Sequence, residues 1–353
     1  MIRVLIVEDS DTVVKFLTHV LGSDPNIEVV GTARNGAEAL EAVIQTKPDV
    51  VTMDIHMPQM NGFDATRQIM ENYPTPIVIV SGSSDAREIA TTFHALEAGA
   101  LALIPRPWGI GHPHHEATAK ELLQTVKLMS EIKVVRRWPR HRTGPASPLP
   151  AKVKIDSPAS RFQIVAIGAS TGGPVVLQTI LSGLKKDFPA PVLIVQHMAP
   201  GFIQGFVDWL GQSAGLPIRM AVHGDSVLPG NAYVAPDGFQ MGVRAGHIFL
   251  SKDPLENGLR PSASYLFRSV ANVYGARAVG VLLTGMGKDG AEELKLMKDK
   301  GAMTIAQDKE SSIVYGMPGE AVKLGAASYV LPSDKIAAAL QSLTRGSMSQ
   351  HPS

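Results

Sequence analysis

A chain of 353 residues is long for one hydrophobic core, so two domains are expected. With 44% hydrophobic and 18% charged residues the composition is that of an ordinary globular protein, and a net charge of +1 leaves no electrostatic footprint for nucleic acid or an anionic membrane. The absence of cysteine excludes disulfides and thiol chemistry, no apolar run reaches a membrane span, and "MIRVLIVEDS" lacks a signal-peptide layout, so the cytoplasm is the expected location.

The first hundred or so residues alternate between β-branched runs and amphipathic stretches. "IRVLIV" reads as a strand and Asp11–Leu21 as a helix; "EVVGTA" as a strand and Gly36–Gln45 as a helix. "DVVTM" precedes a helix at Gly62–Glu71, and "PIVIVS" precedes one at Asp85–Ala98; "ALALIP" is a fifth strand. Continuous apolar strands separated by helices imply a parallel sheet covered on both faces, a flavodoxin-like (βα)5 domain. Glu116–Trp138 reads as a further helix, whose basic end "KVVRR" suits a helix C-terminus. The stretch Trp138–Ser160, rich in proline, reads as a linker.

A second α/β domain spans 161–345. Its expected strands are "FQIVAIG", "APVLIVQ", "AVGVLLTG" and "MTIAQ", with helices at Gly173–Leu184 and Ala291–Lys300. These imply another doubly wound parallel sheet, with a hairpin, "GNAYVAPDGFQMGVRAGHIFLS", inserted. Residues 346–353 read as a disordered tail.

Chemistry gathers where strands should end. Glu8 and Asp9 follow the first strand and Asp54 follows the third. Parallel neighbours bring such acids into one crevice, where a hard divalent cation such as Mg²⁺ relieves their repulsion. A carboxylate beside that ion can attack phosphorus. In the second domain, "GASTGG" admits two uses. It can cradle a phosphate, although the G-x-G-x-x-G spacing and the Walker lysine are missing. It also matches G-x-S-x-G, which exposes a serine on a strand-to-helix turn. Ser170, His197 and Asp289 each follow an apolar strand, as nucleophile, base and orienting acid should. The amides of Thr171, Met286 and Gly287, in glycine-rich loops, are candidates for an oxyanion hole. "GHPHH" (His112, His114, His115) reads as an exposed turn, and the scattered methionines read as packing.

Two resemblances sharpen these readings. Glu8-Asp9, Asp54, "VSGSS" and "IPRP" together resemble the receiver domain of two-component response regulators, over residues 1–107 with a C-terminal helix to 137. The resemblance implies that Asp54 accepts a phosphoryl group from a histidine kinase. It implies that Glu8, Asp9, Asp54 and the His56 carbonyl hold Mg²⁺, and that Ser81 follows the phosphoryl group in switching. Arg106 stands where that family carries lysine; a planar fork replaces a point charge, and weaker coupling is expected.

"IGASTGGP", "VQHM", "YVAPDG", "RPS", "TGMGKDG", "AQD" and "YGMP" are similar to the catalytic domain of the chemotaxis protein-glutamate methylesterases, which join a receiver to an esterase. That implies hydrolysis of glutamyl methyl esters, and deamidation of glutamines, on chemoreceptors. It implies Ser170, His197 and Asp289 as the triad, Met286 as an oxyanion contributor, and no cofactor for the esterase. A monomer without nucleic-acid or membrane partners is expected. A DNA-binding output would need a recognition helix and a basic face, which the C-terminal half does not offer. A nucleotide-binding output stays open until Ser170 is labelled.

Overall fold

The computed structural model describes residues 1–82, 86–134 and 162–344. The chain divides into two compact units, Met1–Pro145 and Ala146–Ser353. The expected linker Trp138–Ser160 and the tail 346–353 lie outside the described residues.

The first unit runs β1 (Ile2–Val7), α1 (Asp11–Gly22), β2 (Ile27–Ala33), α2 (Gly36–Thr46), β3 (Val50–Met53), α3 (Gly62–Asn72), β4 (Ile77–Ser81), α4 (Ala86–Thr92), α5 (His94–Ala98), β5 (Ala102–Pro105) and α6 (His115–Ser130). Five parallel strands lie in the order β2-β1-β3-β4-β5, the flavodoxin-like order. Strand order reverses at β1, whose flanks are β2 and β3. The crevice at that reversal receives Glu8 from β1 and Asp54 from β3. Val4–Val7, Val50 and Val51 are buried, which explains their unbroken apolar run.

Two expectations need correction here. The single helix Asp85–Ala98 is two helices: Thr92 donates its hydroxyl to the Ile89 carbonyl at 2.6 Å, Phe93 is buried, and the chain restarts as α5. The helix read to Trp138 stops at Ser130. Its buried stripe is Leu122, Val126 and Met129, and beyond Ser130 that face continues only with half-buried Ile132 and exposed Lys133. Of "KVVRR", Lys133 and Val134 lie beyond that helix, and the residues from 135 onward lie outside the described residues.

The second unit runs β6 (Ile164–Ala169), α7 (Gly173–Gly183), β7 (Val192–Gln196), α8 (Ile203–Ser213), β8 (Ile218–Met220), β9 (Ala232–Val234), β10 (Gln240–Arg244), β11 (His247–Ser251), α9 (Ala263–Tyr274), β12 (Ala278–Leu282), α10 (Ala291–Asp299), β13 (Met303–Gln307), α11 (Met317–Lys323), β14 (Tyr329–Leu331) and α12 (Ser333–Thr344). Seven parallel strands lie in the order β14-β13-β12-β6-β7-β9-β8. From β6 the chain builds outward through β7 on one side and later through β12 on the other, so the switch point lies between β6 and β12. The hairpin is smaller than expected. Only β10 and β11 pair antiparallel; Ala232–Val234, fully buried, joins β7 and β8 in the main sheet. Pro236 and Gly238 then end that strand before the hairpin begins.

Candidate active site

Strands β12, β6 and β7 are consecutive in the sheet, and each delivers one residue of the expected triad to the same edge. The Ser170 amide donates to the Thr284 carbonyl at 3.0 Å, and the His197 amide to the Ala169 carbonyl at 2.9 Å. These bonds continue the sheet one residue past its ends and fix where the two side chains start. His197 Nε2 lies 2.9 Å from Asp289 Oδ2, with 8% and 2% of the two side chains exposed. The other ring nitrogen, Nδ1, is thereby left without a partner among the described residues. Chymotrypsin-type triads assign the two nitrogens the other way round. No hydrogen bond joins Ser170 to His197 at rest; such bonds commonly tighten only with substrate.

Asp289 is held as an anion. Burial by itself raises its pKa, but the His197 bond and charge, with the Ser262 and Ser264 bonds, outweigh it and hold the carboxyl well below the usual 3.8. Its oxygens accept from Ser262 Oγ (2.7 Å), Asn257 Nδ2 (3.1 Å), and the amides of Ala263 (2.6 Å) and Ser264 (3.3 Å). The carboxylate thus sits on the N-terminal turn of α9, where free N–H groups favour an anion. It does not cap α10, the helix that follows it in sequence.

The oxyanion candidates share one property. The amides of Thr171, Met286 and Gly287 donate to no acceptor among the described residues. Thr284 fixes the loop that carries Thr171. Its hydroxyl is shared between the Thr171 and Val314 carbonyls, and its amide donates to Gln307. The Met286 side chain is 44% exposed beside the site, so this methionine is not packing.

In the first unit, one donor oxygen each from Glu8, Asp9 and Asp54 lie within 4.8 Å of one another. Among the described residues this is the one such cluster; the histidines of "GHPHH" form none. His112 stacks on Trp108 with ring centroids 4.2 Å apart, and His115 begins α6. Three carboxylates at this spacing fit a hard oxygen-seeking cation. Arg106 reaches into the cluster: Nη2 donates to Glu8 at 2.9 Å and lies 3.9 Å from Asp54. Burial pushes the Glu8 carboxyl up to about 7, against the pull of Arg106 and with help from Asp54. Burial likewise raises Asp54. Ser81 is buried at the end of β4, its carbonyl accepting the Arg106 amide at 2.7 Å, and His56 is exposed.

Residues 165–340 match the family described as CheB methylesterase, and residues 4–116 match the response regulator receiver domain. A protein-glutamate methylesterase/protein-glutamine glutaminase of Geobacter metallireducens is 60% identical over 347 residues, 97% of this chain and 99% of that one. Its counterpart in Nitrosospira multiformis is 58% identical over 97% of both chains. The chain belongs to the protein-glutamate methylesterase/protein-glutamine glutaminase family. The crystal structure of the Thermotoga maritima CheB methylesterase catalytic domain superposes on 51% of this chain and 98% of its own, with 40% identity and a TM-score of 0.50.

Sequence reasoning about this family member missed the groups that hold Asp289. Ser262 was legible as an N-cap, since Ala263, Leu266, Phe267, Val270 and Ala271 follow at helical spacing. Asn257 carried no local signal, because its partner lies 32 residues away.

Proposed function

We propose that this chain is a phosphorylation-controlled serine esterase that hydrolyses glutamyl γ-methyl esters, and deamidates glutamines, on the cytoplasmic domains of chemoreceptors. The observation that carries the reading is the buried His197–Asp289 pair on the strands either side of the one that ends at Ser170.

Ser170 Oγ attacks the γ-carbonyl carbon while its proton passes to His197 Nδ1. The carbonyl π pair moves onto oxygen, where the Thr171, Met286 and Gly287 amides receive it. Asp289 holds the imidazolium through Nε2–H and keeps its own charge. Collapse re-forms the carbonyl and breaks the C–O bond; Nδ1–H protonates the leaving methoxide, and methanol departs. Water then attacks the acyl-serine, losing its proton to Nδ1, which returns it to Ser170 Oγ. A glutamate carboxylate remains. With glutamine the leaving group is ammonia.

The receiver supplies control. Asp54 takes a phosphoryl group from a histidine kinase, its carboxylate oxygen forming the bond to phosphorus as the donor's P–N bond breaks. Glu8, Asp9, Asp54 and the His56 carbonyl are the residues that would hold Mg²⁺, which when bound offsets the phosphoryl charge. Arg106 offsets part of the charge of the acid pocket, and Ser81 is the hydroxyl that would meet the phosphoryl oxygen.

Methanol release from methylated receptor, with mass spectrometry of the receptor peptides, tests the reading. A fluorophosphonate should label Ser170. Ser170→Ala should lose at least ~10³-fold of turnover with its melting temperature nearly unchanged. A folded Ser170→Ala protein with near-normal turnover ends the proposal, and an unlabelled Ser170 reopens the nucleotide-binding alternative.

A further inference from the structure

Gln196, the last residue of β7, is 2% exposed at the esterase crevice. Its side-chain Nε2 donates to the Ser170 carbonyl at 2.9 Å and to the His197 carbonyl at 2.8 Å. One amide thus ties the end of β6 to the end of β7. Both acceptors are carbonyls, so the NH₂ must face them. The side-chain oxygen is left buried with no hydrogen-bond partner, pressed on Gly173, where a Cβ would lie 2.2 Å away. An orphaned buried acceptor is costly, and folds keep one where its other half is needed.

The need follows from peptide geometry. Ser170 C=O and Thr171 N–H belong to one planar trans unit and point in opposite directions. The carbonyl is held from one side by Gln196 Nε2 and by the Gly173 amide at 2.8 Å. The Thr171 N–H therefore faces the other way, and it donates to no acceptor among the described residues. We infer that Gln196 is a positioning residue: by pinning the Ser170 carbonyl it aims the Thr171 amide at the oxyanion, and by holding the His197 carbonyl it sets the reach between nucleophile and base. This rests on the reading of Ser170 as nucleophile.

Two variants of the full chain test it. Gln196→Met keeps the volume and removes both donors, and it removes the orphaned oxygen as well. Gln196→Glu faces two carbonyls, which favours its neutral acid and leaves one donor. Fluorophosphonate labelling of Ser170 should slow by about tenfold to a hundredfold in Gln196→Met, since a misdirected oxyanion donor is lost in part. On methylated receptor, kcat should fall by the same factor with KM unchanged. The melting temperature should stay near the parent's, since loss of the orphaned oxygen offsets loss of the donors, and the labelling rate of Gln196→Glu should fall between those of Gln196→Met and the parent. Labelling of either folded variant at the parent's rate overturns the inference. Equal losses in both variants, or losses that track a fallen melting temperature, assign Gln196 to packing and overturn it too. Failure of the parent to label at Ser170 strikes the nucleophile reading itself, which separates the two outcomes.

Discussion

Asp289 keeps a negative charge where solvent barely reaches, and Ser262 shows how. Its hydroxyl donates to Asp289 Oδ1 and accepts the amides of Ser264 and Tyr265 as the N-cap of α9. One small side chain therefore both starts a helix and anchors the acid of the crevice. Ser262→Ala removes a charge-assisted bond and a cap together, and should cost about 2 kcal/mol of stability in the second unit. His197 keeps its bond to Asp289 in that variant, so esterase turnover should drop by only about tenfold. Denaturant melts and initial rates read the two effects separately. A loss of turnover as large as that of Ser170→Ala would mean that Ser262 orients His197 more directly than its contacts suggest.

Loops joined to strand ends bring the active groups together, and they do so at close quarters. Gly285 follows β12 and lies directly over the β6 turn. A Cβ there would sit 2.6 Å from Ser170 Cβ and 2.4 Å from Met317 Sδ. Met317 is a flexible chain and can move; Ser170 is set by the end of β6. Gly285→Ala should therefore fold with a near-parent circular dichroism spectrum while displacing Ser170, the proposed nucleophile. Displacements of about 1 Å at a reacting centre cost on the order of 10²-fold, and fluorophosphonate labelling should slow by that factor. Labelling at the parent rate would show that the loop from β12 yields instead.

Over the whole molecule two buried carboxyls, Glu8 in the first unit and Asp289 in the second, respond to acid in opposite senses. Glu8 has its pKa raised from 4.5 to about 7, so the folded first unit holds a proton that the unfolded chain gives up. The stability this supplies is complete below pH 4.5 and is lost as pH rises through 7. Asp289 has its pKa depressed below 3.8, so its contribution is present above that pH and is lost as pH falls. Calorimetry in chelator between pH 7 and pH 3.5 should show the transition of the first unit moving up on acidification. The transition of the second unit should move down near the acid end. Glu8→Gln should flatten the first trend and leave the second. The two units also invite separation: a fragment of residues 162–344 should fold and hydrolyse ester faster than the unphosphorylated full chain. A folded but slower fragment would make the receiver an activator only.

Two parallel sheets, their strand runs, and a serine, a histidine and an aspartate at strand ends could all be read locally, because burial on both faces writes itself as β-branched runs and ligands gather at carboxyl ends. Short or composite elements were less legible. The three-residue strands β8 and β14 carry too little pattern, Ala232–Val234 looks like the arm of a hairpin, and the interruption between α4 and α5 falls where periodicity continues. Strand order was not written in any segment. Only the folded sheet makes β12, β6 and β7 consecutive, and so turns three separate strand-end residues into one crevice. The partners that set the chemistry were decided there as well. Asp289 meets a helix that begins 26 residues earlier, Arg106 meets Glu8 across 98 residues, and Gln196 meets Ser170 across 26. A side chain's period tells which face it takes; what waits for it on that face depends on which strand the sheet places next.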